Sequence, residues 1–287
     1  MPLLNAPLPR MAGRLSFMRA ACNNLEDVRV GDLAIVGLPV EDIDSPNSGQ
    51  SLAPRALRET SVYFGWHANP QFAHPVDVDD RRVISAAGMF DRMSDLGDLR
   101  APNLVEALAE VDRTLGALPA TAVYLGGSQA LIDQHLSEDA RPLVRLGGMS
   151  ETAALTLAPL SGSDLPPDPQ RTQAEIDRLV RDHIGSAQSA SVVFDLSVFK
   201  TNLSGLCDRP RLGGCTLPEV TRWLSVLGET SVSSIFLTGL NPTLSGMGII
   251  KTGQRLMVTA LLGFIYAKLG AARAKPQCSE RPEAQRV

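Results

Sequence analysis

Five apolar runs that end in glycine or a polar residue punctuate the chain: DLAIVGLPV (32–40), TAVYLGGS (121–128), PLVRLGG (142–148), ASVVFDLSVF (190–199) and SSIFLTGLN (233–241). None alternates strictly between apolar and polar positions, as a strand with one wet face does, so they predict strands covered on both sides. Helical patterns lie between them: APRALRETSVYF (53–64), PNLVEALAEVDRTLGAL (102–118), TQAEIDRLVRDHIGSAQ (172–188) and LPEVTRWLSVLGE (217–229). Pro54, Pro102 and Pro218 stand near helix starts, where a missing N–H costs nothing. Leu104, Ala107, Leu108 and Val111 share one helical face, a core-packing stripe. Alternation of strand and helix predicts an α/β domain built on a parallel sheet.

No internal repeat and no linker divides the 287 residues, which predicts a single domain over 1–287 with flexible ends at about 1–30 and 272–287. The proline-rich segment APLSGSDLPPDPQ (158–170) reads as a surface loop. The most apolar stretch, LMVTALLGFIYAKLG (256–270), is too short to span a bilayer and reads as a core helix. The N-terminus lacks the apolar core of a signal peptide, so no membrane partner is expected. Thirty-one acidic against 27 basic residues, with no basic block, argue against a nucleic-acid partner. Cys22, Cys207, Cys215 and Cys278 show no C-x-x-C spacing, which predicts reduced thiols and a cytoplasmic protein, although Cys207 and Cys215 lie close enough in sequence to meet across a loop.

In open parallel sheets, ligands sit beyond the carboxyl ends of the strands. Chemistry is therefore sought in EDIDS, GGSQ, GGMSE, DLSVFK and GLNP, the residues that follow the five runs.

Those segments carry a family resemblance. GLPVEDIDSPNSGQSLAPRALRETS (37–61) is similar to the opening of the ureohydrolases, the arginase and agmatinase family, which reads G-x-P-x-D and then G-P-x-x-I-R. SDLGDL (94–99) resembles their D-x-G-D strand, LGGSQAL (125–131) their G-G-D-H-S turn, and VFDLSVFKTNLSG (193–205) their S-x-D-x-D-x-x-D segment. LGGCTLPEVTRWLSVL (212–227) resembles their G-G-L-[ST]-x-x-E helix, and GLNP (239–242) their E-x-N-P. The order is kept from about 35 to 270. The resemblance implies a three-layer α/β/α domain with an eight-stranded parallel sheet, assembled as trimers or hexamers, in which two manganese or nickel ions bridge a hydroxide that attacks a guanidinium carbon and releases urea.

Carried over residue by residue, the same resemblance implies that the metal centre is emptied. The family histidine of G-G-D-H falls on Gln129, after Ser128. In the D-A-H-x-D segment the ligands fall on Gly147, Met149 and Glu151; in D-x-D-x-x-D the first carboxylate is kept as Asp195, the second is Ser197 and the third, a non-ligand position, is Lys200. The carboxylate of E-x-N-P falls on Gly239. Two adjacent dications need several carboxylates and imidazoles before a bound water becomes acidic enough to attack. Asp195 and Glu151 cannot supply that charge, and Lys200 nearby would oppose it.

Other candidates read as structural. Asp195 and Glu151 could hold one ion or act as an acid/base pair, but two oxygens bind a cation loosely and support of loop amides is the expectation. His67 and His74 lie in a loop too irregular for a ligand pair, and His135 and His183 sit in helical patterns. Cys207, Cys215 and Ser128 lack a visible histidine base. The function expected is a non-catalytic subunit, with no metal and no catalytic residue of its own, co-assembled with a homologous active ureohydrolase subunit, as a hexamer, that carries nickel or manganese. The chain resembles the metal-free subunit of heteromeric hydrolases that act on metformin or dimethylguanidine. The alternatives are a stand-alone protein that grips a guanidinium through Asp195, Glu151 and Glu41 or Asp42, and an enzyme with one metal or none.

Overall fold

The computed structural model describes residues 15–41, 48–64, 76–77, 82–85, 88–137, 139–147, 155–156, 173–200, 214–244, 252–270 and 272–274. The main sheet is formed by β1 (Ala21–Cys22), β2 (Leu33–Leu38), β5 (Met93–Asp98), β6 (Thr121–Gly126), β7 (Leu143–Leu146), β8 (Leu155–Thr156), β9 (Ala190–Asp195) and β10 (Val232–Thr238). They hydrogen-bond in the order β1, β5, β2, β6, β10, β9, β7, β8, every pair parallel. The outermost two are two-residue strands, so the body of the sheet is the six between them. A second, antiparallel sheet pairs β4 (Arg82–Ser85) with β3 (Val76–Asp77) and β11 (Ala272–Ala274).

Strand residues divide by parity between two apolar cores, which is why the runs show no wet face. Ile35, Val123, Leu125, Val144, Val192, Phe194, Ile235 and Leu237 meet α1 (Ala53–Ser61), α4 (Gln173–Ile184), α5 (Leu217–Gly228) and α6 (Thr252–Lys268). Ala34, Val36, Tyr124, Val193 and Phe236 meet α2 (Leu104–Ala117) and α3 (Gln129–Ser137) on the other face. This is the three-layer α/β/α arrangement expected. Its most apolar helix, α6, is buried along most of its length and packs on α5. No helix among the described residues is long and apolar enough to cross a membrane.

Residues 15–30, placed by the sequence in a flexible N-terminal end, make defined contacts with the sheet. Phe17 and Met18 are 0% and 1% exposed, because the Phe17 amide donates to Asp95 Oδ2 at 2.7 Å and β1 extends the sheet beyond β5. Residues 272–274, placed in the flexible C-terminal end, form β11 in the second sheet. The loop 158–170 and the remaining tail lie outside the described residues.

One polar residue interrupts the stripe that α2 presents to the sheet. Asp112, 7% exposed, lies between Leu108 and Leu115. It accepts from Tyr124 Oη at 3.2 Å and from Arg141 Nη2, with His135 Nε2 3.5 Å away. Burial alone would raise its pKa, but the His135 imidazole and the Arg141 guanidinium together hold it below the ordinary carboxylate value. A depressed folded-state pKa stabilises the protein fully above the unfolded value, and that stabilisation is lost as pH falls through the folded value. Asp112→Asn is therefore expected to lower stability by about 2 kcal/mol at neutral pH. In urea unfolding, the gap between variant and parent should begin to narrow below about pH 4 and close as pH falls through the depressed folded value. A gap independent of pH would show that Asp112 acts through packing alone.

Candidate functional site

The ligand positions implied by the resemblance fall at the carboxyl ends of four strands that are consecutive in the sheet: Gln129 after β6, Gly239 after β10, Asp195 and Ser197 at the end of β9, and Gly147 after β7. The fold thus brings together residues scattered over more than a hundred positions of sequence. Met149 and Glu151 lie outside the described residues, as do Asp42, His67, His74 and Cys207.

Asp195 is 6% exposed and both of its oxygens are engaged. Oδ1 accepts the Ser197 amide at 2.8 Å, capping the short turn Leu196–Val198, and Oδ2 accepts the Thr238 hydroxyl from β10 at 2.6 Å. The carboxylate therefore ties β9 to β10 where the family would present it to metal. Gly239 makes this possible. A Cβ there would stand 2.6 Å from both Asp195 oxygens, and its φ of +76° disfavours any side chain. The kept carboxylate lies across the place from which a glutamate would project.

Gly147 closes the neighbouring position. Its φ is +79°, and a Cβ would lie 2.7 Å from the Val198 amide nitrogen and 3.0 Å from the Asp195 carbonyl oxygen. The turn after β9 thus occupies the room that an aspartate side chain would need. Gln129 opens α3 and donates from Nε2 to Asp133 Oδ1 at 3.1 Å, one helical turn on. Ser128 spends its hydroxyl oxygen on the Leu131 amide.

The donors at the described ligand positions do not by themselves fit a pair of manganese or nickel ions. Among the described residues no group of three or more His, Cys, Asp or Glu could hold a metal ion. The one kept carboxylate is engaged, and two ligand positions are glycines whose side-chain space is filled. Dications of high charge density require several anionic donors, which this cleft does not offer from its described residues.

Lys200 is exposed, and its backbone amide donates to the Cys215 carbonyl beside a short bridge between Phe199 and Cys215. Glu41 is also committed: its carboxylate accepts the amides of Gly49, Gln50 and Ser51 and the Ser51 hydroxyl. Burial would raise its pKa, but those donors hold it below the usual range. It organises the loop into α1 and offers little to a guanidinium. Cys215 is buried and its thiol is pushed up to about 12 by burial, which removes it as a nucleophile. His183 bonds the Leu143 carbonyl oxygen at 3.0 Å, a packing role. A cavity of about 250 Å³ lined by Leu15, Cys22, Arg55, Arg58, Asp95, Gly97 and Asp98 lies by β1 and β5, on the far side of β2 from these positions.

Sequence reading missed two features of this region. One is Thr238, the partner that binds Asp195, because a threonine at the end of an apolar run carries no pairing signal. The other is Arg145, a charged residue inside a run otherwise read as buried strand, which was itself a signal.

No protein-family model and no curated protein sequence matches the chain. Its structure is similar to that of proclavaminate amidino hydrolase from Streptomyces clavuligerus, with a TM-score of 0.69 and 18% identity over 91% of this chain and 100% of the other. A hypothetical agmatinase from Burkholderia thailandensis superposes with a TM-score of 0.66 and 16% identity over 91% and 92% of the two chains. Agmatine ureohydrolase of Thermoplasma volcanium does so with 0.64 and 14% over 90% and 96%. At these identities the likeness establishes the fold, which is arginase-like.

Proposed function

We propose that this chain is a metal-site-deficient, non-catalytic ureohydrolase-like subunit. It co-assembles in the cytoplasm, as a hexamer, with a homologous subunit that uses nickel or manganese to hydrolyse a guanidine compound such as metformin or dimethylguanidine. The observation that carries this reading is the use of Asp195. The one ligand carboxylate retained at a described position bonds Ser197 and Thr238, beside a glycine where another ligand is expected. Among the described positions the cleft has no free carboxylate left for two dications, whereas the fold that surrounds it is arginase-like. Such a subunit supports its sister by mass action, by shaping an interface or by both.

The test is assembly and metal content measured together. Purified alone, the chain should hold less than one manganese or nickel per polypeptide and should hydrolyse none of metformin, dimethylguanidine, guanidinobutyrate or agmatine. Co-expressed with a metal-dependent ureohydrolase from the same genome, it should elute as a hetero-oligomer whose metal matches the sister chains only. Activity of that complex should exceed the sister's own. Stoichiometric metal with turnover by the isolated chain overturns the proposal, as does failure to associate with any such subunit.

A further inference from the structure

The run LVRL in β7 sets an arginine in a strand whose other residues, Leu143, Val144 and Leu146, are 6%, 0% and 0% exposed. Arg145 itself is 3% exposed. Val144 and Leu146 belong to the core under α4, α5 and α6, so alternation sends Arg145 to the α3 side, and its Nη2 donates to Asp133 Oδ1 on that helix. The same oxygen accepts Gln129 Nε2, which makes the guanidinium a neighbour of one of the emptied ligand positions. Nε and Nη1 are shielded from solvent and have no acceptor.

A guanidinium presents its five N–H donors along two edges, each a pair of parallel bonds, and the two edges share Nη2. A single oxygen of Asp133 engages one edge at most. The other is left as a complete fork, desolvated and unfilled, a costly arrangement for a charged group. Nothing else in the strand explains a charge there, since an aliphatic residue would continue the core.

We propose that Arg145 anchors an oxyanion subsite that takes a small carboxylate on its open edge, beside Gln129. The ligand class follows from charge. A planar carboxylate sets its two oxygens against the two parallel N–H bonds of the fork, and as a monoanion it leaves less excess negative charge beside Asp133 than a dianionic phosphate would. Asp133 keeps its side chain 27% exposed, so water and the Gln129 amide share its charge. The subsite makes no use of metal.

Full-length chain labelled with ¹⁵N-arginine and titrated with sodium acetate, against sodium chloride at matched ionic strength, tests this directly. The Arg145 Nε–H resonance, assigned from its loss in Arg145→Lys, should shift with acetate and saturate in the millimolar range. The melting temperature should rise in acetate over chloride. Arg145→Lys keeps a charge for Asp133 but lacks the fork, and should lose the melting response. An unmoved resonance, equal melting in both salts, or an acetate response that persists in Arg145→Lys overturns the subsite. Because the chain is assayed alone and no hydrolysis is read, the result stands apart from the subunit proposal.

Discussion

Gly147→Asp, which would restore the first carboxylate of the D-A-H-x-D pattern, is expected to destabilise the protein by about 4 kcal/mol without conferring metal binding. Two costs combine. A side chain at φ +79° is strained, and its Cβ would press to 2.7 Å on the Val198 amide, a backbone atom that cannot swing aside as a side-chain tip would. Relief requires the Leu196–Val198 turn to shift, and that turn is held by Asp195 on the Ser197 amide. At roughly 2–4 °C per kcal/mol the melting temperature should fall by about 10 °C, read by calorimetry with and without manganese or nickel. Gly147→Ala separates the two costs from the added charge, and should retain most of the loss. A Gly147→Asp variant as stable as the parent, or one stabilised by metal, would show that the cleft is open and that the present account of it is wrong.

The second large effect is expected where the opening motif of the chain meets its D-x-G-D strand. Arg58 and Asp95 have side chains 6% and 2% exposed. Arg58 Nε and Nη2 donate to the two Asp95 oxygens at 2.8 and 2.9 Å, Nη1 donates to Asp98 at 2.6 Å, and Nη2 also reaches the Gly97 carbonyl. Asp95 further accepts the amides of Phe17 and Gly97. One carboxylate thus joins α1, the end of β5 and the N-terminal segment. Removing one partner leaves a buried charge unpaired, so Asp95→Ala should cost about 3–5 kcal/mol and expose residues 15–30 to limited proteolysis. Arg58→Met combined with Asp95→Ala should cost less than the two single losses together, by 0.5–3 kcal/mol or so of coupling. Additive losses, or an N-terminal segment still resistant to protease in Asp95→Ala, would remove the role assigned to this pair.

These two sites also mark what sequence made legible. Arg58, Asp95 and Asp98 were visible as residues of two motifs, yet their common purpose was not, because the pairing spans 37 and 40 positions. Five strands were readable as apolar runs. In β5, MSDLGD, polar residues answer to Arg58 and to solvent, so it was placed only through the motif it resembles. Helix α3, QALIDQHLS, was hidden by weak amphipathic patterning, since Asp133 and His135 serve Arg145 and the Asp112 cluster. The two-residue edge strands and the small antiparallel sheet carry too few residues for any periodicity to register.

Residue type alone determined an α/β domain on a parallel sheet and the order of its five apolar strands, and, at the positions the resemblance points to, the scarcity of anionic and imidazole donors. Burial on both sheet faces writes itself into continuous apolar runs, and the identity of a donor is a property of one residue. The tertiary structure alone decided that Asp195 is spent on Thr238, that Gly147 and Gly239 have no room for a side chain, and that Arg145 is enclosed with an open edge. Free space, and the company a charge keeps, depend on strands and turns that meet only when the sheet is assembled.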